Sequence, residues 1–411
     1  MSAAAFNVEA FRADFPALAQ TSPDGAPLLF ADNASTSLKP QAVIDAVLGY
    51  YTGPCANVHR GVHRLAEEAG RRYEGARESV AELIGARRQE VIFVRNTTEA
   101  IHLAAHLLGV GEGDEVVAAL SDHHSNLLPW RRGRLTLVPP GPAGELRAED
   151  FRAAIGPKTR LVAVAHASNV TGLVAPVREI ARAARERGAA VLIDAAQTAA
   201  HLPLDVGEIG CDFLAFSGHK TLGPSGIGAL FARAERTEGA PPLITGGGMV
   251  DSVGAEAREI TPAPVPHRFE AGTPNIEGAL GLGAAAELLL DLEMEAVEEH
   301  GRALSRALDR ELLSVEGLTM YPPARPESLE RRLPTRAFTL GDLPTDQVAE
   351  ILSQRHGILL ASGVHCAEPL ARHWGVRSLL RVSLHPYNTE AEVRRLGEAL
   401  RSLAAVFRSS R

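Results

Sequence analysis

The stretch that decides the fold runs from Val191 to Gly228. It reads Val191-Leu-Ile-Asp194-Ala-Ala-Gln197, then Asp212-Phe-Leu-Ala-Phe-Ser217-Gly-His219-Lys220, then Thr221-Leu-Gly223-Pro-Ser-Gly-Ile-Gly228. Two apolar runs of strand length each end in reactive polar residues. In an open parallel sheet the carboxyl ends of the strands line the ligand crevice, so Asp194 with Gln197 and Ser217 with His219 and Lys220 are expected to face one pocket. An Asp and a Lys taken alone would read as a buried ion pair. Set among these neighbours, they match what pyridoxal 5'-phosphate (PLP) needs: an amine to bond its aldehyde and a carboxylate to keep its pyridine nitrogen protonated.

Working outward, the same pattern of strand followed by polar end recurs. Val91-Ile-Phe-Val94 leads into Arg95-Asn96-Thr97-Thr98-Glu99, and Leu161-Val-Ala-Val-Ala leads into His166-Ala-Ser-Asn169. Glu115 to Leu120 likewise precedes Ser121-Asp-His123-His124. Helical periodicity over Pro40–Tyr51, Leu65–Leu83 and Val177–Arg187 alternates with these strands, which predicts right-handed crossovers and a mostly parallel sheet between helices. Two hydroxyl residues at a helix start, Thr97 and Thr98, suit an anion site, although a plain N-cap would use them equally well. A long helix is predicted from Ile276 to about His300. A smaller α+β region follows, with strands at Arg336–Leu340, Ile358–Leu360 and Leu379–Leu384 and helices at Thr345–Arg355 and Thr389–Phe407. The expected division is a large domain over 20–292 and a small domain formed by 1–19 and 293–411. Val8 to Leu18, with Phe11, Phe15 and Leu18 at helical spacing, is expected to be a docked arm.

Composition bounds the function. The formal charge is −8 with no basic tract, which argues against nucleic acid as partner. No apolar run approaches the roughly 20 residues that span a bilayer, and Glu9 and Asp14 stand where a signal peptide would be basic and then apolar, so a cytoplasmic protein is expected. Three cysteines, Cys55, Cys211 and Cys366, are too few and too scattered for a disulfide framework. No His/Cys spacing marks a zinc site. Cys211 opens an apolar strand and reads as core. Cys366 sits in Ala361-Ser-Gly363-Val364-His365-Cys366-Ala-Glu-Pro369, where Gly363 and Pro369 bracket a loop and a histidine adjoins the thiol; a mobile thiolate of this kind is a nucleophile.

Ser217-Gly-His-Lys220 with Gly223-Pro-Ser-Gly-Ile-Gly228 resembles the cofactor-lysine signature of class V PLP enzymes, and most of all the type II cysteine desulfurases and selenocysteine lyases. The resemblance extends from Val8 to Thr389. It implies the type I fold of PLP-dependent transferases, with Lys220 bonded to the cofactor and Thr97, Thr98, Ser217 and His219 on its phosphate. It further implies His123 over the ring as a proton relay, and Asp194 on the pyridine nitrogen. Asn169 and Gln197 belong at the phenolic oxygen or the substrate, Ala34 and Arg381 beside the substrate, and Cys366 is the persulfide-forming residue. Thr273, in Arg268-Phe-Glu-Ala-Gly-Thr273-Pro-Asn275, is implied to reach the partner subunit's cofactor phosphate in a homodimer, and His59 and Arg60 to lie near the substrate or that subunit. The implied reaction converts L-cysteine to L-alanine and passes sulfur to an acceptor, possible protein partners included. Selenocysteine lysis, or a class V aminotransferase, epimerase or C–S lyase with an idle Cys366, are the alternatives, and a non-catalytic scaffold is a third. Four departures stand out: Ser35 for a second alanine, Asn96 for a glycine ahead of the threonines, and Ala361 and Val364 where the family commonly has Arg and His before the cysteine.

Overall fold

The computed structural model describes residues 6–59, 61–256, 259–323 and 331–409. After a two-residue strand β1 (Leu29–Phe30), seven strands build the main sheet: β2 (Val91–Val94), β3 (Glu115–Ala119), β4 (Arg134–Val138), β5 (Thr159–Ala165), β6 (Ala190–Asp194), β7 (Phe213–Ser217) and β8 (Gly228–Ala232). Their order is β2-β8-β7-β6-β5-β3-β4, and every neighbouring pair is parallel except the two that β8 makes. The expected mostly parallel sheet is what forms.

Side-chain alternation explains why the central strands are apolar throughout. Val191, Ile193, Leu214 and Phe216 pack into one core with the helices Arg64–Leu83, Val177–Arg185 and Ile276–Asp291. Leu192, Phe213 and Ala215 face the opposite side, against Ile101 and Ala104 of the helix Thr97–Leu108. Both faces of the sheet are therefore covered, which leaves no place for polar alternation. Leu192 and Ile193 are fully buried, each contributing about 2 kcal/mol of apolar transfer.

A hairpin of β9 (Val250–Val253) and β10 (Ile260–Pro262) leads to the C-terminal part. There β11 (Leu318–Tyr321), β12 (Thr335–Leu340), β14 (Ala361–Gly363) and β15 (Leu379–Ser383) form an antiparallel sheet in the order β11-β12-β15-β14. The remaining strand, β13 (Ile358–Leu359), pairs in parallel with β1. Leu304, Leu308 and Leu312 from Met294–Leu313 and Val393, Leu396 and Leu400 from Glu390–Ser409 cover this sheet in a core of its own. The long helix expected from Ile276 to His300 is interrupted: Glu293 adopts φ 56°, a left-handed conformation that ends one helix and starts the next at Met294. The N-terminal arm docks through Phe15 against Tyr387, ring centroids 4.6 Å apart, and through Arg12 to Glu392 at 3.0 Å.

Candidate active site

The carboxyl ends of β2, β3, β5, β6 and β7 open onto one cavity of about 370 Å³. Asp194 and Lys220 both line it, and among the described residues neither forms an ion pair, which removes the reading of the two as a structural salt bridge. The Asp194 carboxyl accepts from Ala196 N at 2.9 Å; burial raises its pKa, while that N–H and the Lys220 charge act against the rise. Lys220 is open only to the cavity, and burial lowers its amine to about 8, with Asp194 pulling the other way.

At the far end, the helix Thr97–Leu108 points its N-terminus into the cavity. Thr97 N donates to Ser217 Oγ at 2.8 Å, the two hydroxyls lie 2.6 Å apart, and Thr98 Oγ1 meets Ser125 Oγ at 2.7 Å. Asn96 is the cap, accepting from Glu99 N at 3.0 Å with φ −173°, extended backbone open to any residue. The turn therefore needs no glycine at 96. The glycine it does need is Gly228 on the facing strand, where a Cβ would come 2.6 Å from Phe216 O and 3.1 Å from Asn96 Cα. This donor set fits a phosphate group, and the carboxylate and amine beyond it fit a pyridine nitrogen and an aldehyde.

His123 lines the cavity between these ends. Its Nδ1 accepts from Ser125 N at 3.1 Å, so in this arrangement the ring proton sits on Nε2. Burial, then the Lys220 charge, lowers its pKa to about 4 and keeps the ring neutral. His219 also lines the cavity and is lowered to about 4, chiefly by burial. Gln197 Nε2 donates to Ala34 O at 3.0 Å, which ties two of the expected residues together. Asn169 lines the cavity too, but its Nδ2 donates to His365 O at 2.8 Å, toward the cysteine loop.

Arg381 is buried on the opposite wall. Its Nη2 reaches Asp32 Oδ1 and Ser35 Oγ, each at 2.7 Å, and its Nη1 donates to Asn169 O at 3.1 Å. Ser35, noted in sequence only as a departure, thus positions this guanidinium. Ala361 stands directly across from Arg381 in the β14–β15 register, so this position brings no second guanidinium beside it. The Cys366 thiol is exposed and lines the cavity, on a turn in which His365 and Cys366 both have positive φ, 53° and 54°.

His124 clasps that turn. Its N donates to Cys366 O at 3.0 Å and its Nε2 lies 2.5 Å from Glu368 Oε2. Sequence reasoning missed Asp122, which is fully enclosed and accepts from Ala165 N at 3.2 Å and Asn126 Nδ2 at 2.9 Å; burial raises its pKa to about 8. Its only sequence signal is its place at a strand end.

Thr273 is not brought to this cavity; it is exposed beside a different one, with Asn57 Nδ2 at 3.5 Å. His59 also lies elsewhere, its ring 4.5 Å from that of His267 and near Glu74, and Arg60 lies outside the described residues. Cys211 is buried core, its thiol raised to about 12 by burial.

Residues 29–396 match the family described as aminotransferase class-V. A probable cysteine desulfurase of Halalkalibacterium halodurans is 42% identical over 404 residues, covering 96% of this chain and 97% of that protein. A cysteine desulfurase of Yersinia pseudotuberculosis is 39% identical over 408 residues, covering 97% and 98%. Among solved structures, the apo cysteine desulfurase of Thermococcus onnurineus NA1 superposes with a TM-score of 0.88 at 35% identity, covering 95% of this chain and 98% of that one. The Escherichia coli cysteine desulfurase CsdA in an S-sulfonic acid form gives 0.88 at 33% identity, covering 98% and 100%.

Proposed function

Because this chain belongs to the class-V aminotransferase family, we propose that it is a PLP-dependent cysteine desulfurase that converts L-cysteine to L-alanine and leaves the sulfur as a persulfide on Cys366. The observation that carries this reading is that Lys220, Asp194 and Cys366 line one cavity. The family is PLP-dependent, and when bound the cofactor supplies an electron sink for the bonds around the substrate Cα.

The chain's own residues do the rest. Thr97, Thr98, Ser217 and His219 would hold the cofactor's phosphate, and Asp194 would keep the proton on its pyridine nitrogen. The neutral His123 ring, which lines the same cavity, would be placed to move a proton through Nε2. Gln197 and Asn169, each with one amide N–H donated to a backbone carbonyl, would offer the other at the phenolic oxygen. Arg381, held by Asp32 and Ser35, receives the substrate carboxylate next to Ala34, and the lowered pKa of Lys220 leaves part of its amine neutral at pH 7 to take the Cα proton. Cys366 Sγ then attacks the substrate sulfur: the S–S bond forms, the Cβ–S bond breaks, and protonation of the carbon product gives alanine.

Thr273, exposed and away from its own chain's cavity, is assigned to the partner's cofactor phosphate in a homodimer. The substrate is a small amino acid, and an acceptor protein takes the persulfide sulfur. Among the described residues no helix is long and apolar enough to cross a membrane, and we assign the enzyme to the cytoplasm.

Ala361 opposite Arg381, in place of a second cation, supports a second reading, in which selenocysteine or another β-substituted amino acid is accepted and Cys366 is dispensable. Alanine release from cysteine and from selenocysteine, measured for wild type and Cys366→Ala, separates them. Desulfuration predicts that the cysteine reaction alone collapses in the variant; undiminished alanine release from cysteine would overturn it.

A further inference from the structure

A second cavity of about 350 Å³ lies between the helices Val177–Arg185 and Met294–Leu313, with the strip Arg331–Pro334 along its wall. The strip is fixed there by backbone pairing with the loop after β5: Val174 N donates to Arg331 O at 2.9 Å and Leu333 N to Gly172 O at 2.8 Å. This crossing drives the Arg332 side chain inward, to 3% exposure. Its Nε and Nη2 both donate to Thr171 O, at 3.1 and 3.0 Å. Among the described residues its Nη1 is buried with no hydrogen-bond partner, and no carboxylate pairs with it. The acid in its vicinity, Asp309, is bound by Arg336 through two contacts of 2.6 Å. A buried guanidinium compensated by one carbonyl is costly, and burial together with the Arg336 charge lowers its pKa to about 9.

Two further features of the same cavity favour negative charge. The nine-residue helix Val177–Arg185 begins on it with Pro176 at the N-cap; Val177 N turns back to Ala175 O at 2.8 Å, and no side chain caps the rest of the turn, so the positive end of its dipole faces the cavity. His166 also lines it, with Nδ1 buried and unpartnered. Of the other charges on the wall, Arg178 is paired with Glu208 and Arg302 with Glu298 and Glu299, while Asp205 caps the turn at Glu208 N. Glu179 and the exposed Arg331 complete the set.

We propose that this cavity binds a small anion bearing a phosphate or carboxylate group, with Arg332, Arg331 and the opening turn of Val177–Arg185 as its donors. Among the described residues Arg332 and Arg331 are the arginines on the wall with no carboxylate partner, so a ligand of one or two negative charges matches them. The volume is that of a small-metabolite pocket. The site is separate from the cofactor's phosphate cradle and needs no catalytic turnover to be seen.

The test is calorimetric titration of the cofactor-loaded enzyme, whose phosphate cradle is filled, with inorganic phosphate and in a separate arm with succinate. Saturable binding of at least one probe in the millimolar range or tighter is expected, weakened about tenfold or more in Arg332→Met and in Arg331→Ala. The arm that binds identifies the ligand chemistry. Arg331 is exposed, so its variant carries the test even where Arg332→Met fails to fold. No binding of either probe, or equal binding by wild type and Arg331→Ala, overturns the proposal.

Discussion

Asp194 and Lys220 sit at or just beyond the ends of β6 and β7, strands buried along their whole length, whereas Cys366 hangs from β14, three residues long and partly exposed, through two consecutive residues of positive φ. One wall of the cavity is thus set by the sheet. The other is held by a few polar links: Asn169 to His365 O, His124 N to Cys366 O, and the His124–Glu368 contact. Each left-handed non-glycine residue costs about 1 kcal/mol, which those links must offset. The division follows the chemistry. Bond polarisation demands fixed geometry, whereas a thiol that accepts sulfur and then surrenders it must be reachable from both sides.

The largest expected effect is on the rigid wall. Lys220→Ala should lower alanine release by about a thousandfold or more, because among the described residues no other amine lines the cavity to take the Cα proton; activity within tenfold of wild type would remove Lys220 from that role. Next comes the mobile wall. Cys366→Ala should cost about a hundredfold or more with cysteine while cofactor absorbance stays at the wild-type level, and a parallel loss of cofactor would show that the two walls are not independent.

The third prediction concerns pH. Burial brings the Lys220 amine from its ordinary 10.5 down to about 8, so its neutral form predominates only above that pH. Cofactor uptake by the apoenzyme, which needs the neutral amine, should therefore quicken about tenfold per unit as pH rises below 8 and level off above it. A rate that is flat from acid to alkaline pH contradicts the lowered value. The smallest effect should come from the clasp: His124→Ala is expected to reduce kcat by about three- to tenfold with cofactor occupancy unchanged. Loss of cofactor in that variant would move His124 from the mobile wall to the fixed one.

The rigid wall was the legible one. Strands covered on both faces are written as unbroken apolar runs, so β5, β6 and β7 announce themselves, and the polar residues that follow them had to share a crevice. The edge strands β4 and β11 were missed, since half-exposed edges carry a mixed pattern such as Arg134-Leu-Thr-Leu-Val138. The helix break at Glu293 has neither glycine nor proline to mark it. Asp32 and Ser35 holding Arg381 lie 349 and 346 positions away from it, and no local periodicity records a contact of that range. Asp122 was not singled out because burial is a property of the packed layers, not of its neighbours in sequence. Thr273 lines a different cavity, with Tyr73 and Glu270, that no strand-end pattern marks in sequence.

The pairing of β1 with β13, extended by Ala34 N on Ser383 Oγ across 349 positions, has a consequence for biosynthesis. At roughly 5–20 residues per second, a ribosome delivers the second half of that seam about 20–70 s after the first. Leu29 and its neighbours must wait without that partner through the interval, while the parallel sheet can already assemble. The substrate-facing rim is accordingly the last part to settle, and nascent chains stalled before residue 358 should carry a finished sheet with a gaping mouth.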